Sequence, residues 1–274
     1  SLPSGCENKR VLLRFDGIAG QSTIYLNGCL LHHNYSAYNT FEVDISDNVY
    51  YDRENVIAVY VNTEEFEGWW YQGGGIYRNV YLTVTEPVCI DLWGVYAPYE
   101  KKDNGTWIIN YETAVLNTGY EDCDVTAESN LLDKDGNIVA SASGTGFAEK
   151  KDKAIIKYSA VVKNPLLWDC ENPNLYTVKT VLKLNGEAID ENTTRIGFRT
   201  VEISAEKGLL LNGKKTFING VCAHQDFGLT GLAVPDNIAK HKISLKKEMG
   251  ANGYRTSHYQ QTDAYTDAFD EMGF

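Results

Sequence analysis

Positive charge is scarce in this sequence: 25 lysines and arginines stand against 37 aspartates and glutamates among 274 residues, a formal net charge of −12. A field of that sign repels a phosphate backbone, which argues against nucleic acid and anionic membranes as partners, while a neutral ligand is indifferent to it. Close cysteine pairs are also missing. Cys6, Cys29, Cys89, Cys123, Cys170 and Cys222 form no C-x-x-C motif, so the spacing of a structural zinc site is absent. Cys29 beside Gly28, and Cys222 inside an apolar run, read as buried thiols; disulfides among the six remain open. No stretch reaches the roughly 18 apolar residues that span a membrane. The opening residues Ser-Leu-Pro-Ser-Gly-Cys lack the basic and apolar regions of a signal peptide. The expectation is a cytoplasmic chain whose N-terminus has been trimmed.

What is present is strand material. Apolar residues make up 43% of the chain, enough for sizeable cores, and 18 tyrosines accompany 24 glycines. Aromatics suit pleated surfaces and glycine suits tight turns. Val11–Phe15, Thr23–Leu26, Phe41–Ile45, Val56–Val61 and Val80–Val84 read as strands, with Asn27-Gly28 as a hairpin turn. This rhythm predicts a jelly roll or β-sandwich. After a boundary near Pro87 the pattern restarts with Trp107–Leu116, Val125–Leu132, Ala154–Val162, Leu175–Leu184 and Thr194–Val201. Asp135-Gly136 and Asn185-Gly186 are its hairpin turns, and about 110 such residues fit an immunoglobulin-like sandwich.

Beyond Val201 the grammar changes. Leu209–Leu211 runs into Asn212-Gly213, and Thr216–Cys222 reads as a buried strand. Pro235-Asp236-Asn237 opens a helix, where Asp or Asn can cap, with Ile238, His241, Leu245 and Met249 on one face and Gly250 as the stop. Ala251–Thr256 is a short strand. Thr262 starts a second helix carrying Tyr265, Phe269 and Met272 on one face. Strand–helix–strand–helix opens a parallel α/β unit, yet two strands cannot close an eight-stranded barrel. The unit therefore belongs to a smaller open sheet, or the chain is truncated.

Several stretches resemble glycoside hydrolase family 2. Leu13-Arg14-Phe15-Asp16-Gly17 with Tyr25-Leu26-Asn27-Gly28, and Trp70 through Val80, are similar to its sugar-binding jelly roll, with Gln72 in place of the usual proline. Leu167-Trp168, Glu171–Tyr176 and Gly197-Phe198-Arg199 resemble the end of its immunoglobulin-like domain. Asn252–Tyr259 and Asp270–Phe274 resemble its N-x-φ-R-x-S-H-Y-P signature, with Gln260 where proline is usual. Gly220–Asp226 resembles the G-V-N-R-H-x-D segment, with Cys222 and Ala223 replacing Asn-Arg.

The resemblance implies a multidomain chain: a jelly-roll β-sandwich over 1–88, an immunoglobulin-like β-sandwich over 89–200, and the first two βα units of a (β/α)8 barrel over 201–274. It implies a retaining hydrolase of terminal β-D-galactose residues, with β-glucuronidase and β-mannosidase as near alternatives and a non-catalytic carbohydrate-binding module as the distant one. Active sites of such barrels lie at the carboxyl ends of the strands. His224 and Arg255/His258 fall at two successive strand ends, so the two imidazoles are expected to meet there.

By the resemblance, His224 and His258 bind sugar hydroxyls, Arg255 holds a nucleophilic carboxylate, and Asp226 either orients His224 or caps a turn. Trp69, Trp70 and Tyr71 read as a domain-interface core, with a sugar-stacking platform as the alternative; His32 and His33 read as surface residues. The family's acid/base stands in an Asn-Glu pair, and the chain contains no such dipeptide. Its carboxylates Asp263, Asp267, Asp270 and Glu271 fall on the second helix. The chain alone is thus expected to be inactive and without cofactor, although Mg²⁺ and Na⁺ are compatible with the full-length enzyme. Its expected partners are a β-galactoside or related oligosaccharide, and the rest of the barrel or a second copy of the chain.

Overall fold

The computed structural model describes residues 1–64 and 73–274. Strand dominates, and the chain divides into two compact units: residues 1–84 with most of 218–274, and residues 85–217. Trp69, Trp70 and Tyr71 lie outside the described residues.

The first unit begins with β1 (Arg10–Phe15), β2 (Ile18–Ala19), β3 (Gln21–Leu26), β4 (Cys29–Asn34), β5 (Phe41–Asp44), β6 (Ile57–Asn62), β7 (Gly75–Ile76) and β8 (Val80–Thr85). Two three-stranded sheets, in orders β5-β1-β8 and β4-β3-β6, share a core of Val11, Leu13, Phe15, Ile24, Leu26 and Val43. The β3–β4 hairpin turns on Asn27 (φ 52°) and Gly28 (φ 86°), the left-handed pair such a turn requires. Cys29, expected to be buried, is exposed because it sits just past this turn. His33 is exposed, whereas His32 is half-buried and stacks on Phe41 at 5.0 Å.

The second unit comprises β9 (Val88–Tyr96), β10 (Tyr99–Lys101), β11 (Thr106–Asn117), β12 (Cys123–Leu132), β13 (Ile138–Ala148), β14 (Asp152–Lys163), β15 (Tyr176–Leu184) and β16 (Glu187–Ile196). A small sheet of β17 (Val201–Ser204), β18 (Gly208–Leu211) and β19 (Lys214–Lys215) follows. One sheet runs β10-β11-β14 with β9 also on β11, and the other runs β13-β12-β15-β16. Burial alternates along β11 and β12, the pattern of sheets with one face inward. Their shared core holds Trp107, Ile109, Leu131, Val178, Leu182 and Phe198. A chain of hydroxyls crosses it: Thr113 to Tyr158 (2.8 Å), Tyr158 to Ser129 (2.8 Å) and Ser129 to Thr180 (2.6 Å), so these buried polar groups satisfy one another. The strand expected over Thr194–Val201 is divided between β16 and β17, which the Gly197–Thr200 bend separates.

The first unit then resumes with β20 (Gly220–Ala223), α1 (Asp236–Glu248), β21 (Gly253–Thr256) and α2 (Asp263–Met272). β20 and β21 pair in parallel, with Gly220 opposite Gly253 and Ala223 opposite Thr256. The two helices meet through Ala239, Ile243, Ala264, Tyr265 and Ala268. Three expectations are corrected here. β20 is half-exposed rather than buried, and Cys222 with it. The face of α1 that packs is Ala239/Ile243, while Leu245 (46%) and Met249 (78%) are exposed. Pro235 occupies the N-cap of α1 with no side-chain cap, because Asp236 already lies inside the first turn. Gly250 (φ 87°) closes α1 as expected, its N–H donating to the Lys247 carbonyl at 2.9 Å. None of the six cysteines is in a disulfide.

Candidate active-site mouth

Parallel pairing in register brings the ends of β20 and β21 level, so the residues that follow them face one another. His224 follows Ala223, and Ser257-His258 follows Thr256. The imidazoles of His224 and His258 lie 5.7 Å apart between ring centroids, edge to face at 79°. Tyr259 joins them, its ring 6.1 Å from that of His224 and its Oη 3.5 Å from His224 Nδ1. Burial pushes the Tyr259 phenol up to about 12, which keeps it protonated at neutral pH. Two imidazoles and a phenol at one mouth are donors and acceptors that can serve several hydroxyls of one ligand.

The loop after β20 is fixed from beneath. Lys242, on α1, donates its ammonium to the carbonyls of His224 (3.2 Å), Gln225 (3.1 Å) and Asp226 (2.7 Å). Burial and then the neighbouring Lys246 hold its pKa below the ordinary lysine range. Tyr265 donates to the same Gln225 carbonyl at 3.0 Å. From the antiparallel sheets of the unit, Arg78 donates to Gln225 Oε1 and to the Gln260 carbonyl, both at 2.7 Å, and to the carbonyls of Asp16 (3.2 Å) and Tyr38 (3.0 Å). Tyr38 stacks on Tyr259 at 4.0 Å between centroids. One guanidinium thus ties the loops of both strand ends to the β-sheet part of the unit.

Arg255 stands beside the mouth and is exposed. Its Nη1 donates to Cys222 Sγ at 3.3 Å and to Ser257 Oγ at 3.4 Å, and Cys222 and Ser257 are 2.7 Å apart. The Ser257 hydrogen bond, and next that of Arg255, lower the Cys222 thiol below its ordinary value. Partial loss of solvation, then Arg255 and His224, holds the His258 imidazole below its ordinary value, so its neutral form is favoured near neutral pH.

Of the four residues singled out from sequence, His224, His258 and Arg255 gather at the paired strand ends. Asp226 enters through its main-chain carbonyl on Lys242. Sequence reasoning missed Arg78, Lys242, Gln225 and Tyr259. The only local hint was that Arg78, Gln225 and Tyr259 lay inside stretches already noted. Among the described residues no three His, Cys, Asp or Glu side chains converge to hold a metal.

Residues 90–199 match the model of the glycosyl hydrolases family 2, and residues 201–274 match that of its TIM barrel domain. A β-galactosidase of Bacteroides ovatus is 38% identical over 263 residues, covering 96% of this chain and 31% of that protein. A β-glucuronidase of Bacteroides fragilis is 30% identical over 283 residues, covering 97% of this chain and 40% of that protein. A crystal structure of a family 2 member from Bacteroides cellulosilyticus superposes with a TM-score of 0.95 at 32% identity, covering 100% of this chain and 35% of that one. The chain therefore spans about a third of the length of the relatives it matches. The order of the matched segments, the parallel strand pair and the likeness over nearly every residue have a common explanation: this chain belongs to glycosyl hydrolase family 2.

Proposed function

We propose that the chain is part of a retaining glycosidase that removes terminal β-D-galactose residues. In this reading residues 1–88 are a jelly roll, 89–200 an immunoglobulin-like sandwich, and 201–274 the first two βα units of a (β/α)8 barrel. The observation that carries it is the pair of imidazoles 5.7 Å apart across neighbouring parallel strand ends. A barrel gathers its chemistry at such ends. His224 and His258 bind hydroxyls of the pyranose and strengthen those bonds as positive charge develops on the ring, which raises rate as well as affinity. Arg255 orients the nucleophilic carboxylate by a charge-assisted hydrogen bond. Retaining hydrolysis needs two carboxyl groups about 5 Å apart. We assign both to sequence outside residues 1–274, so residues 1–274 alone are inactive. Further barrel strands would cover the open side of β20–β21 and the exposed Leu245 and Met249.

A β-glucuronidase is the second reading. It is favoured by the exposed guanidinium of Arg255 at the mouth, which suits a sugar carboxylate, and by the names of several relatives. Assay of the full-length protein on 4-nitrophenyl β-D-galactoside and β-D-glucuronide separates the two. His258→Ala is expected to lower kcat/KM on the preferred sugar by about two orders of magnitude, the range seen when a donor to the transition state is removed. A full-length protein inert on every aryl glycoside, or a His258→Ala variant with undiminished activity, overturns the proposal.

A further inference from the structure

The side chain of Arg255 is held at one nitrogen. Its Nη1 donates to Cys222 Sγ at 3.3 Å and to Ser257 Oγ at 3.4 Å, and among the described residues its guanidinium has no other hydrogen bond and no ion pair. The strands dictate this grouping. Alternate side chains of a strand point to opposite faces. Tyr254 lies on the helix side of β21, its ring 6.4 Å from that of Tyr265 and 5.0 Å from that of Phe269, so Arg255 points to the other side. In-register parallel pairing sets Cys222 opposite Arg255, and therefore beside it on that face. Ser257, two residues on, completes the group. It is 1% exposed, and its N–H donates to the Ala223 carbonyl at 3.3 Å, which ties it to the end of β20. Cys222 Sγ and Ser257 Oγ are 2.7 Å apart with one hydrogen lying between them, so each fixes the other.

An arginine on an open face has many rotamers, and each aims its charge in a different direction. Two acceptors on one nitrogen select among them. Occupying Nη1 leaves Nε and Nη2, the two parallel donors on the other edge of the guanidinium plane, for a carboxylate that binds through both oxygens. We propose that Cys222 is a positioning residue whose sulfur, together with Ser257, aims Arg255 at the nucleophilic carboxylate; this rests on the role proposed for Arg255 above. Without the sulfur, Ser257 alone holds Nη1, and the fork can swing away from the line on which the carboxylate must be met. Cys222 touches neither sugar nor reacting atoms in this scheme, and its effect reaches the reaction only through Arg255.

Cys222→Val in the full-length protein nearly keeps the volume and removes the acceptor. On the preferred 4-nitrophenyl glycoside it is expected to lower kcat/KM about tenfold, the effect of one lost hydrogen bond, while the inhibition constant of the free sugar stays unchanged. The acidic limb of the kcat/KM profile should move to higher pH, since a carboxylate that loses its aligned cation is harder to ionise. Cys222→Ser restores an acceptor and should recover most of the rate and return the limb. On an Arg255→Ala background Cys222→Val should add no further loss, whereas a side chain that only filled space would cost as much there as in the wild type. Cys222→Ala serves the same comparisons should Cys222→Val fold poorly. An unmoved acidic limb, a loss confined to sugar affinity, a Cys222→Ser variant as impaired as Cys222→Val, or full additivity with Arg255→Ala overturns the inference while leaving Arg255 its role. Undiminished kcat/KM in Arg255→Ala overturns that role, and the inference with it.

Discussion

The sandwich of residues 85–217 and the βα segment of residues 218–274 are held together by opposite means. The sandwich has 18 buried core residues, several of them large, on strands of nine to twelve residues. Four of its inner side chains share hydroxyl bonds, Thr113–Tyr158–Ser129–Thr180, while the buried Tyr111 hydroxyl has no partner. The βα segment has five buried core residues, three of them alanine, so burial of apolar surface contributes far less there. Its geometry is set instead by Lys242, Tyr265 and Arg78 on main-chain and amide oxygens. Directional ties of this kind fix the position of a loop more tightly than oily packing does, which is what a site demanding sub-ångström placement needs. The difference teaches that the scaffold's stability and the mouth's precision come from separate sets of residues, and each set can be broken alone.

The largest expected effect breaks the sandwich side. Phe198 is fully buried and packs on Tyr99, Trp107 and Tyr176 at 5.0–5.5 Å. Phe198→Ala should lower stability by about 3–5 kcal/mol, as large-to-small core changes do. Urea unfolding followed by tryptophan fluorescence measures it; a loss below 1 kcal/mol would remove the sandwich from its role as the stable partner.

The next effect breaks the other side. Lys242→Met leaves three carbonyls without their shared ammonium and should cost about 2–4 kcal/mol, confined to the βα segment. Hydrogen exchange should then quicken over 224–226 and 253–259 while β11 and β12 keep their protection. Uniform loosening of both regions would erase the distinction drawn above.

The smallest effect sharpens the comparison at the mouth. Arg255→Ala removes a positive charge that lies against both Cys222 and His258. Without it a thiolate is harder to form and an imidazolium easier, so both pKa values should rise. The onset of Cys222 alkylation by iodoacetamide should move to higher pH, and the His258 midpoint in an NMR titration should move up with it. Opposite or absent movements would show that Arg255 is not electrically coupled to the pair.

Legibility in the sequence followed the same divide. The hairpins at Asn27-Gly28, Asn185-Gly186 and Asn212-Gly213 were readable because asparagine followed by glycine accepts two successive left-handed conformations, and all three pairs adopt them. The histidines were readable because each follows a strand one crossover apart. β13 was not readable: Ile138–Ala148 is rich in serine, glycine and alanine, and its membership in the sheet comes from pairing with β12 rather than from its own composition. Cys222 looked buried because its neighbours are apolar, but its side of β20 is open. Arg78 and Gln225 lay inside stretches noted for their resemblance, but their pairing could not be read there, since a contact across 147 residues leaves no periodic trace.

That separation has a consequence during translation. The acceptors awaiting Arg78 at Gln225 and Gln260 emerge from the ribosome 147 and 182 residues after it. At roughly 5–20 residues per second, about seven to thirty seconds pass before the first of them is made. Most of that interval goes to making the sandwich itself, and until its end Arg78 has only the carbonyls of Asp16 and Tyr38 to hold. The ties from Arg78 to the mouth therefore form only after the whole sandwich has been made, and a chain cut between residues 217 and 225 has every residue of the sandwich and neither of those two acceptors.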